Sequence, residues 1–405
     1  MNTKSNDLKC IIGINSDYRL TQAFYWAMYL VASGFNTYYM SAYGLTNTQI
    51  GIIISVFAIF TILLTFVLGR IADKHPSLNW KKQLLIMCIL NLLIMAALFI
   101  LSNGLVIGLA FGLLYMCGTC MFPMINAASF YYEAKGISSN YGTARAIGAA
   151  AYAVASFAMG ELTDAYGTIT VPISGVVLSL LLIIVVLLLP YNGPVDTEEC
   201  EKCENTKIGW LAIFAKYPAF MIMTLATLLI LTFHNMYSTY MIRILERVGG
   251  GSANLGIALG VAAASELPMM ILASKLVKKF VPSRILAIMP LGFVLRGIIL
   301  IAAGNVFTVY VGQALSMVSF AVIASVGIYF TDQCMDAEDM VTGQAITGMA
   351  YSTAGVFSNL LAGWLIDKIG ITYTLCVGLC IAILGWICAV ISAVMVEKGN
   401  IHNRE

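Results

Sequence analysis

Residues 171–189 read VPISGVVLSLLLIIVVLLL, nineteen consecutive residues without a charged side chain. An α-helix rises about 1.5 Å per residue, so this stretch is long enough to cross the roughly 30 Å hydrocarbon core of a bilayer. In lipid every backbone amide must find its partner within the protein, which leaves helical bundles and closed barrels as the possible folds. Because the stretch lacks the two-residue alternation of a barrel strand, it predicts a transmembrane helix.

The composition of the whole chain extends this prediction. Sixty per cent of the 405 residues are hydrophobic and 10% are charged, whereas soluble domains carry about 25% charged residues. Apolar runs between polar breaks predict twelve transmembrane helices, near residues 20–43, 48–68, 83–101, 105–131, 141–163, 168–190, 218–242, 253–274, 284–303, 306–331, 340–366 and 372–396.

The longest polar interval, residues 191–216, predicts an exposed cytoplasmic linker. It divides the chain into an N-terminal six-helix bundle (1–190), the linker (191–216) and a C-terminal six-helix bundle (217–405). Cys200 and Cys203 in the linker have the spacing of a metal-binding pair, but no second pair lies nearby, so neither a metal nor a cofactor is expected. The net charge of +2 is too small to indicate a nucleic-acid partner, and we expect a monomer.

The distribution of Lys and Arg predicts the orientation, since cytoplasmic loops hold these residues in excess. Nearly all of them fall on one side of the twelve predicted spans, together with both termini. We therefore expect both termini in the cytoplasm. The polar first nineteen residues predict no removable signal peptide. Short loops without an N-x-[ST] sequon favour a bacterial cytoplasmic membrane.

The two halves of the chain resemble each other. Residues 133–167, EAKGISSNYGTARAIGAAAYAVASFAMGELTDAYG, match residues 336–370, DAEDMVTGQAITGMAYSTAGVFSNLLAGWLIDKIG, at a constant offset of 203, with Gly167 on Gly370. A looser match sets FNTYYM (35–40) beside HNMYSTYM (234–241). A parallel repeat of six helices implies a pseudo-twofold axis along the membrane normal and a solute site near the midplane. We predict an all-α membrane protein with twelve transmembrane helices in two pseudo-symmetric six-helix bundles.

Two charges interrupt apolar runs in the second half. Glu266 lies about ten residues and Arg296 about twelve residues from the inner ends of their predicted helices, which places both roughly 15 to 18 Å deep at 1.5 Å per residue. A charge in lipid is costly, so both side chains are expected to face the bundle interior. One hypothesis is that Glu266 gains and loses a proton during transport while Arg296 stabilises its charged form. The alternative is a static structural ion pair.

Polar and aromatic residues recur in the first helix of each half. Amide and phenol groups within a bilayer need partners, and this set predicts residues that line a central cavity and bind the solute: Asn36 and Tyr39 in the first half, and His234, Asn235, Tyr237 and Tyr240 in the second. Ordinary helix packing or an interfacial aromatic belt remains the alternative. His234 is the second candidate for a proton carrier, since an unperturbed imidazole titrates near physiological pH.

The short loop after the second predicted helix reads Gly69-Arg-Ile-Ala-Asp73-Lys74 and is followed by Lys81 and Lys82. This segment is similar to the cytoplasmic signature of the major facilitator superfamily, which the chain resembles over nearly its full length. The resemblance implies the major facilitator fold and a cytoplasmic gate motif formed by Gly69, Asp73 and Lys74. In that motif we expect the glycine to permit close helix approach.

More narrowly, the chain resembles the lactose permease, oligosaccharide, phenylpropionate and nucleoside symporters. Gly142-Thr-Ala-Arg145-Ala-Ile-Gly148 is similar to the permease's fifth helix, where the matching Arg binds sugar. Glu266 falls on the acidic site of the eighth helix, and Arg296 on the ninth-helix Arg that is linked to proton coupling.

Other positions depart from the permease. Its sugar-binding Glu in the fourth helix is matched by Ala127, with Asn126 beside it. Its tenth-helix Lys, His and Glu are matched by Gln313, Ser316 and Ser319. The resemblance adds Arg145, Asn126 and Gln313 to the candidate substrate-binding residues, and the departures argue against lactose as the cargo.

These features favour a secondary active transporter that moves a sugar, a nucleoside or an aromatic acid by proton symport. A proton-coupled antiporter that exports drugs or metabolites is the alternative, because one fold serves both. The drug antiporters typically carry a Gly-Pro-rich signature in the fifth helix, and residues 145–160 contain no proline, which favours symport. An enzyme is not indicated, since HExxH, GxSxG and GxxxxGK[ST] are absent from the sequence.

Overall fold

A computed structural model describes residues 2–137, 140–191, 193, 210–336 and 339–402. These residues form helices joined by short loops, and no strand occurs among them. The helices are α1 (Asn2–Gly34), α2 (Asn36–Ala42), α3 (Asn47–Lys74), α4 (Trp80–Ala97), α5 (Gly104–Ala134), α6 (Tyr141–Tyr166), α7 (Thr170–Leu188), α8 (Trp210–Lys216), α9 (Pro218–Thr239), α10 (Met241–Arg247), α11 (Ser252–Lys279), α12 (Pro282–Ile288), α13 (Pro290–Ala302), α14 (Val306–Ala314), α15 (Phe320–Cys334) and α16 (Met340–His402), which Gly370 divides into two.

All twelve predicted helices are confirmed as helices. Nine stretches of the described residues are long and apolar enough to cross a membrane. Two of these stretches, Tyr141–Leu188 and Thr342–Lys398, each contain two predicted helices. The first predicted helix, residues 20–43, corresponds to the end of α1 together with α2. The ninth predicted helix is interrupted between α12 and α13, because Pro290 has no backbone N–H to continue the ladder. The tenth is interrupted between α14 and α15 by the 3₁₀ turn Leu315–Val318.

The internal repeat is visible in the backbone conformation. Gly167 and Gly370, which match in sequence, both have positive φ, +73° and +80°, a region that favours glycine because it has no Cβ. The first helix of each half is broken by one residue with nearly the same φ, Phe35 (−105°) between α1 and α2 and Tyr240 (−104°) between α9 and α10. The two halves therefore repeat the same junctions and breaks.

The described residues form two compact units. Unit 1 contains those of Met1–Asp196 and Gly251–Ala264, and unit 2 contains those of Thr197–Gly250 and Ser265–Glu405. The predicted domain boundaries at residues 190 and 217 remain a prediction.

Two glycines explain why the start of α11 groups with unit 1. A Cβ placed on Gly256 of α11 would lie 2.3 Å from the Ser156 carbonyl oxygen and 2.5 Å from the Gly160 Cα of α6. The two backbones are therefore in direct contact, as small residues permit between membrane helices.

A charged cluster ties the start of α9 to the loop before α16 within unit 2. The Lys216 Nζ lies 2.7 Å from Asp339 Oδ2 and 2.9 Å from Asp336 Oδ2. The Tyr217 hydroxyl lies 2.7 Å and 2.8 Å from the same two oxygens. Hydrogen bonds from Lys216 lower the pKa of both carboxyls, and the bond to Asp339 raises the pKa of Lys216. This cluster lies outside the membrane-spanning stretches and joins the two segments at one end of unit 2.

Candidate functional site

Arg296 is buried inside unit 2, as expected for a charge in a membrane helix. It lies on α13 with 1% of its surface exposed, and its Nη2 donates a hydrogen bond to Gln313 Oε1. Gln313 lies at the end of α14, and its Nε2 donates to Met241 Sδ at 3.2 Å. The structure therefore brings together two residues that the sequence proposed for the site, with Gln313 as the direct partner of the guanidinium.

The face of an aromatic ring forms a second contact with this guanidinium. The Arg296 Cζ lies 4.5 Å from the centre of the Tyr237 ring, within the range of a cation–π interaction. The Tyr237 hydroxyl lies 2.7 Å from His234 Nδ1, and the imidazole stacks on Phe320 with a centroid distance of 4.5 Å. The structure therefore joins three residues proposed from the sequence, His234, Tyr237 and Arg296, in one connected network.

Glu266 is half-buried on α11 and belongs to the same surroundings through α14 and the turn that follows it. The Ser316 Oγ donates a hydrogen bond to Glu266 Oε1 at 2.7 Å. Ser316 lies in the 3₁₀ turn Leu315–Val318, three residues after Gln313. The end of α14 and the turn that follows it therefore hold a partner for each of the two charges. 3₁₀ turns inside a helix often mark positions that move.

Arg296 has further donors in this buried position. Its Nε and Nη1 atoms are inaccessible and have no hydrogen-bond partner among the described protein atoms. A buried donor without a partner is costly, all the more on a charged group. These two N–H groups are therefore suited to bind an acceptor that the protein itself does not supply.

A second cluster of polar and aromatic residues lies in unit 1. The Arg145 Cζ lies 4.1 Å from the centre of the Trp26 ring. The Trp26 Nε1 donates to Gln22 Oε1 at 3.2 Å, and Gln22 Nε2 donates to the Tyr18 hydroxyl at 3.1 Å. Arg145, half-buried on α6, therefore faces α1 of its own unit.

Four further aromatic rings surround the Trp26 indole at steep angles. The centroid distances are 5.3 Å to Tyr25, 5.8 Å to Tyr29, 5.7 Å to Phe122 and 6.4 Å to Tyr152. Asn126 lies one turn after Phe122 on α5, and its buried Oδ1 has no hydrogen-bond partner among the described atoms. Trp26 and its ring partners were not predicted from the sequence. The spacing of Gln22, Trp26 and Tyr29 on one face of α1 was the available signal.

Other predicted substrate-binding residues contact the protein elsewhere. The Asn36 Oδ1 accepts a hydrogen bond from the Thr37 backbone N–H at 2.5 Å. Tyr39 stacks on Tyr43 and packs against Phe111, and the buried Tyr240 donates to the Asn359 carbonyl oxygen at 3.3 Å. Asn235 is half-buried next to His234 on α9. For the first three residues, these contacts agree with the packing alternative that the sequence left open.

The predicted gate motif differs from its expectation at the glycine. Gly69 on α3 was expected to permit close helix approach, but a Cβ placed there would have no atom within 4 Å. That expectation is wrong, because Gly69 borders a cavity of about 120 Å³ lined also by Trp80, Pro123 and Met124. The backbones of Asp73 and Lys74 lie in α3, and their side chains lie outside the described part of the structure. Cys200 and Cys203 also lie outside the described residues.

The sequence of residues 18–374 matches the model of the MFS_1 like family. The chain belongs to the MFS_1 like family. This membership confirms the major facilitator resemblance and identifies the chain as a multi-pass membrane transporter rather than an enzyme. None of the curated proteins compared with the chain matches its sequence.

Solved transporter structures share the fold of this MFS_1 like protein. The nucleoside transporter NupG superposes with a TM-score of 0.76 at 15% sequence identity, over 96% of this chain and 99% of that one. A point mutant of NupG, with alanine in place of one aspartate, gives 0.75 at the same identity and coverage. A bacterial homologue of the human lysosomal transporter Spinster, in an inward-facing and unoccupied conformation, gives 0.64 at 12% identity, over 96% and 97% of the chains. At these identities the likeness establishes the fold, two pseudo-symmetric bundles of transmembrane helices.

Proposed function

We propose that this transporter carries a small organic solute across the cell membrane by proton symport, through alternating access. The observation that supports the proposal is the network in unit 2, where the segment Gln313–Ser316, at the junction of α14 and the 3₁₀ turn, contacts both Arg296 and Glu266. A membrane protein tolerates such charges where they face its interior and serve substrate binding or ion coupling.

The proton is assigned to Glu266, with His234 as the second candidate. The guanidinium of Arg296 supplies the positive charge of the network. A carboxylate near this charge is stabilised when the two approach, and it takes up a proton more readily when they separate. A change in the segment Gln313–Ser316 during transport would alter the surroundings of both Glu266 and Arg296. Such a change would link protonation of Glu266 to the conformational change.

The solute is a sugar, a nucleoside or an aromatic acid. The buried N–H groups of Arg296 and the guanidinium of Arg145 offer donors, and Gln313 and Asn126 offer amides. Donors of this kind bind the hydroxyls, carbonyls and carboxylates of these three classes. The fold likeness to NupG, described as a nucleoside transporter, makes nucleosides the first class to test.

The proposed setting is the cytoplasmic membrane, with both termini in the cytoplasm and the chain acting as a monomer. The excess of Lys and Arg on the side of the termini supports this orientation. Reporter fusions at each terminus and at the loop around residue 103 would test it.

The decisive experiment is solute uptake into proteoliposomes with a pH gradient, acidic outside. Uridine, 3-phenylpropionate and lactose represent the three classes, and a protonophore abolishes the gradient. We expect accumulation of one solute that the protonophore prevents and that Glu266→Gln lowers to the level of empty liposomes. Glu246→Gln is the matched control, because Glu246 lies in an exposed ion pair with Arg243. Full proton-driven uptake by Glu266→Gln would refute the coupling role, and solute loss driven by an inward proton gradient would establish antiport instead.

A further inference from the structure

We infer that the aromatic cluster of unit 1 is a stacking site for a planar aromatic ring of the solute, a ring that carries oxygen acceptors. The Trp26 cluster comprises Gln22, Tyr25, Trp26, Tyr29, Phe122, Arg145 and Tyr152. This inference rests on the proposed function, since it names the class of solute that the transporter carries. It selects nucleosides and aromatic acids over sugars.

The position of Arg145 carries the inference. Its planar guanidinium lies on the face of the Trp26 indole, 4.1 Å from the ring centre. A stacked aromatic ring would occupy the same face at a similar separation. We therefore expect a solute ring to replace the guanidinium on the indole, and Arg145 to turn N–H groups toward the oxygen atoms of that ring.

The indole itself is held in place. Its Nε1 donates to Gln22 Oε1, and Gln22 in turn donates to Tyr18. A Cβ on Gly148 of α6 would lie 2.5 Å from the indole Cδ1, so α6 packs directly against the ring. An aromatic platform fixed in this way loses little conformational freedom on binding. Gln22 uses both ends of its amide within the protein, and it acts as a positioning residue.

The chemistry of the cluster favours a ring over a sugar. Sugar hydroxyls both donate and accept hydrogen bonds, so a site that recognises several of them supplies acceptors such as carboxylates as well as donors. None of the seven members of the cluster is acidic, and the permease's acidic residue on the fourth helix is replaced here by Ala127. The cluster supplies one cationic fork, aromatic rings and tyrosine hydroxyls. The five N–H donors of a guanidinium match a nucleobase or an aromatic carboxylate, which carry several oxygen acceptors and few N–H donors.

Direct binding to the purified transporter tests this assignment without a proton gradient. Isothermal titration with uridine, 3-phenylpropionate, ribose and lactose distinguishes nucleobase, aromatic acid and sugar. We expect one of the two ring-bearing solutes to bind. Trp26→Leu should weaken that binding by roughly 5- to 150-fold, the usual effect of removing a stacking partner, while Trp26→Phe should retain affinity within a few-fold. Trp364→Leu is the matched control, since Trp364 is 49% exposed on α16.

Three outcomes would overturn the inference: binding of ribose or lactose alone, no binding of either ring-bearing solute, or equal ring affinity in Trp26→Leu and the parent protein. If Trp26→Leu does not fold, Gln22→Met provides a second test, because it removes the hydrogen bond that holds the indole and should weaken ring binding. The proton-coupling proposal is judged separately, since ring binding measured at equilibrium does not depend on Glu266.

Discussion

Gln313 and Ser316 lie three residues apart, and each contacts one of the two charges inside unit 2. Gln313 accepts a hydrogen bond from the buried Arg296, and Ser316 donates one to Glu266 at 2.7 Å. The segment between them leaves α14 and enters a 3₁₀ turn. A small rotation of this turn would therefore change the surroundings of both charges together, which makes the turn the natural place to test coupling.

Ser316→Ala should impair transport while the fold is retained. The substitution removes the donor to Glu266, and a hydrogen bond to a charged group contributes about 1.5 to 3 kcal/mol, so we expect uptake to fall roughly 10- to 100-fold. Initial rates in proteoliposomes measure the effect. Ser319→Ala is the matched control, because the Ser319 Oγ donates to a backbone group of the neighbouring 3₁₀ turn, the Leu315 carbonyl oxygen. Equal rates for the two variants would contradict the role of Ser316.

Tyr237→Phe separates the two contacts that this side chain makes. It keeps the ring face against Arg296 but removes the hydroxyl that lies 2.7 Å from His234. If His234 carries a proton, uptake should fall several-fold with a nearly unchanged melting temperature. Tyr237→Leu also removes the ring and should lower the melting temperature, since truncating a buried aromatic side chain costs about 3 to 5 kcal/mol. Unchanged uptake in Tyr237→Phe would leave Glu266 as the remaining proton carrier of the network.

Gly256→Ala should destabilise the contact between α6 and α11. Its new Cβ would lie 2.3 Å from the Ser156 carbonyl oxygen, and overpacking of this kind typically costs about 1 to 3 kcal/mol. Gly348→Ala is the matched control, because a Cβ at this helical position meets no atom within 4 Å. There alanine should be neutral or stabilising by about 0.5 to 1 kcal/mol. Thermal unfolding in detergent compares the two, and a melting temperature of Gly256→Ala at or above that of the control would be inconsistent with the close crossing.

The Lys216 cluster predicts a defined pH window for stability. The pKa values of Asp336 and Asp339 are lowered by their bonds to Lys216, so their contribution is present above the unfolded pKa near 3.9 and is lost as the pH falls through the folded value. The pKa of Lys216 is raised, so its contribution is present below about 10.4 and is lost at higher pH. We expect Asp339→Asn to lower the melting temperature by a constant amount between about pH 5 and 9.

The same difference should begin to shrink below about pH 4, where the carboxyls of the unfolded parent protein take up protons, and it should vanish as the pH falls through the lower folded pKa. Unfolding curves of the two proteins across this range measure it. Asp332→Asn provides the comparison, since Asp332 is an exposed carboxylate at the end of α15. A difference that stays the same at about pH 3.5 would show that the aspartate acts through packing rather than through its charge.

Much of the fold could be predicted from the sequence because membrane insertion depends on local composition. In a stretch such as residues 171–189, a helix satisfies the backbone N–H and C=O groups within the stretch itself. The helix can therefore be predicted without knowing which segments it packs against. Gly167 and Gly370 matched in sequence and share a positive φ, since a left-handed turn restricts the residue type at that position. The breaks at Phe35 and Tyr240 were not predicted, because neither residue type by itself interrupts a helix.

The candidate site could be predicted only in part. Arg296 and Glu266 were recognised because a charge within an apolar run of a membrane helix is costly unless it faces the protein interior. Arg145 was recognised through its match to the permease's fifth helix. Trp26 was missed because aromatic residues are common in membrane helices and packing explains most of them. The expectation for Gly69 was wrong because the residue type alone does not say whether a neighbouring helix approaches its open side.

By itself, the sequence determined that this chain crosses the membrane twelve times as two related halves and that a few charges must face inward, because these properties follow from the energetic cost of polar groups in lipid. Only the tertiary structure decided which groups those charges meet: Gln313 and Tyr237 for Arg296, Ser316 for Glu266 and Trp26 for Arg145. These partners come from different helices, so their contacts depend on how the helices are rotated and packed. A local sequence pattern contains no information about that packing.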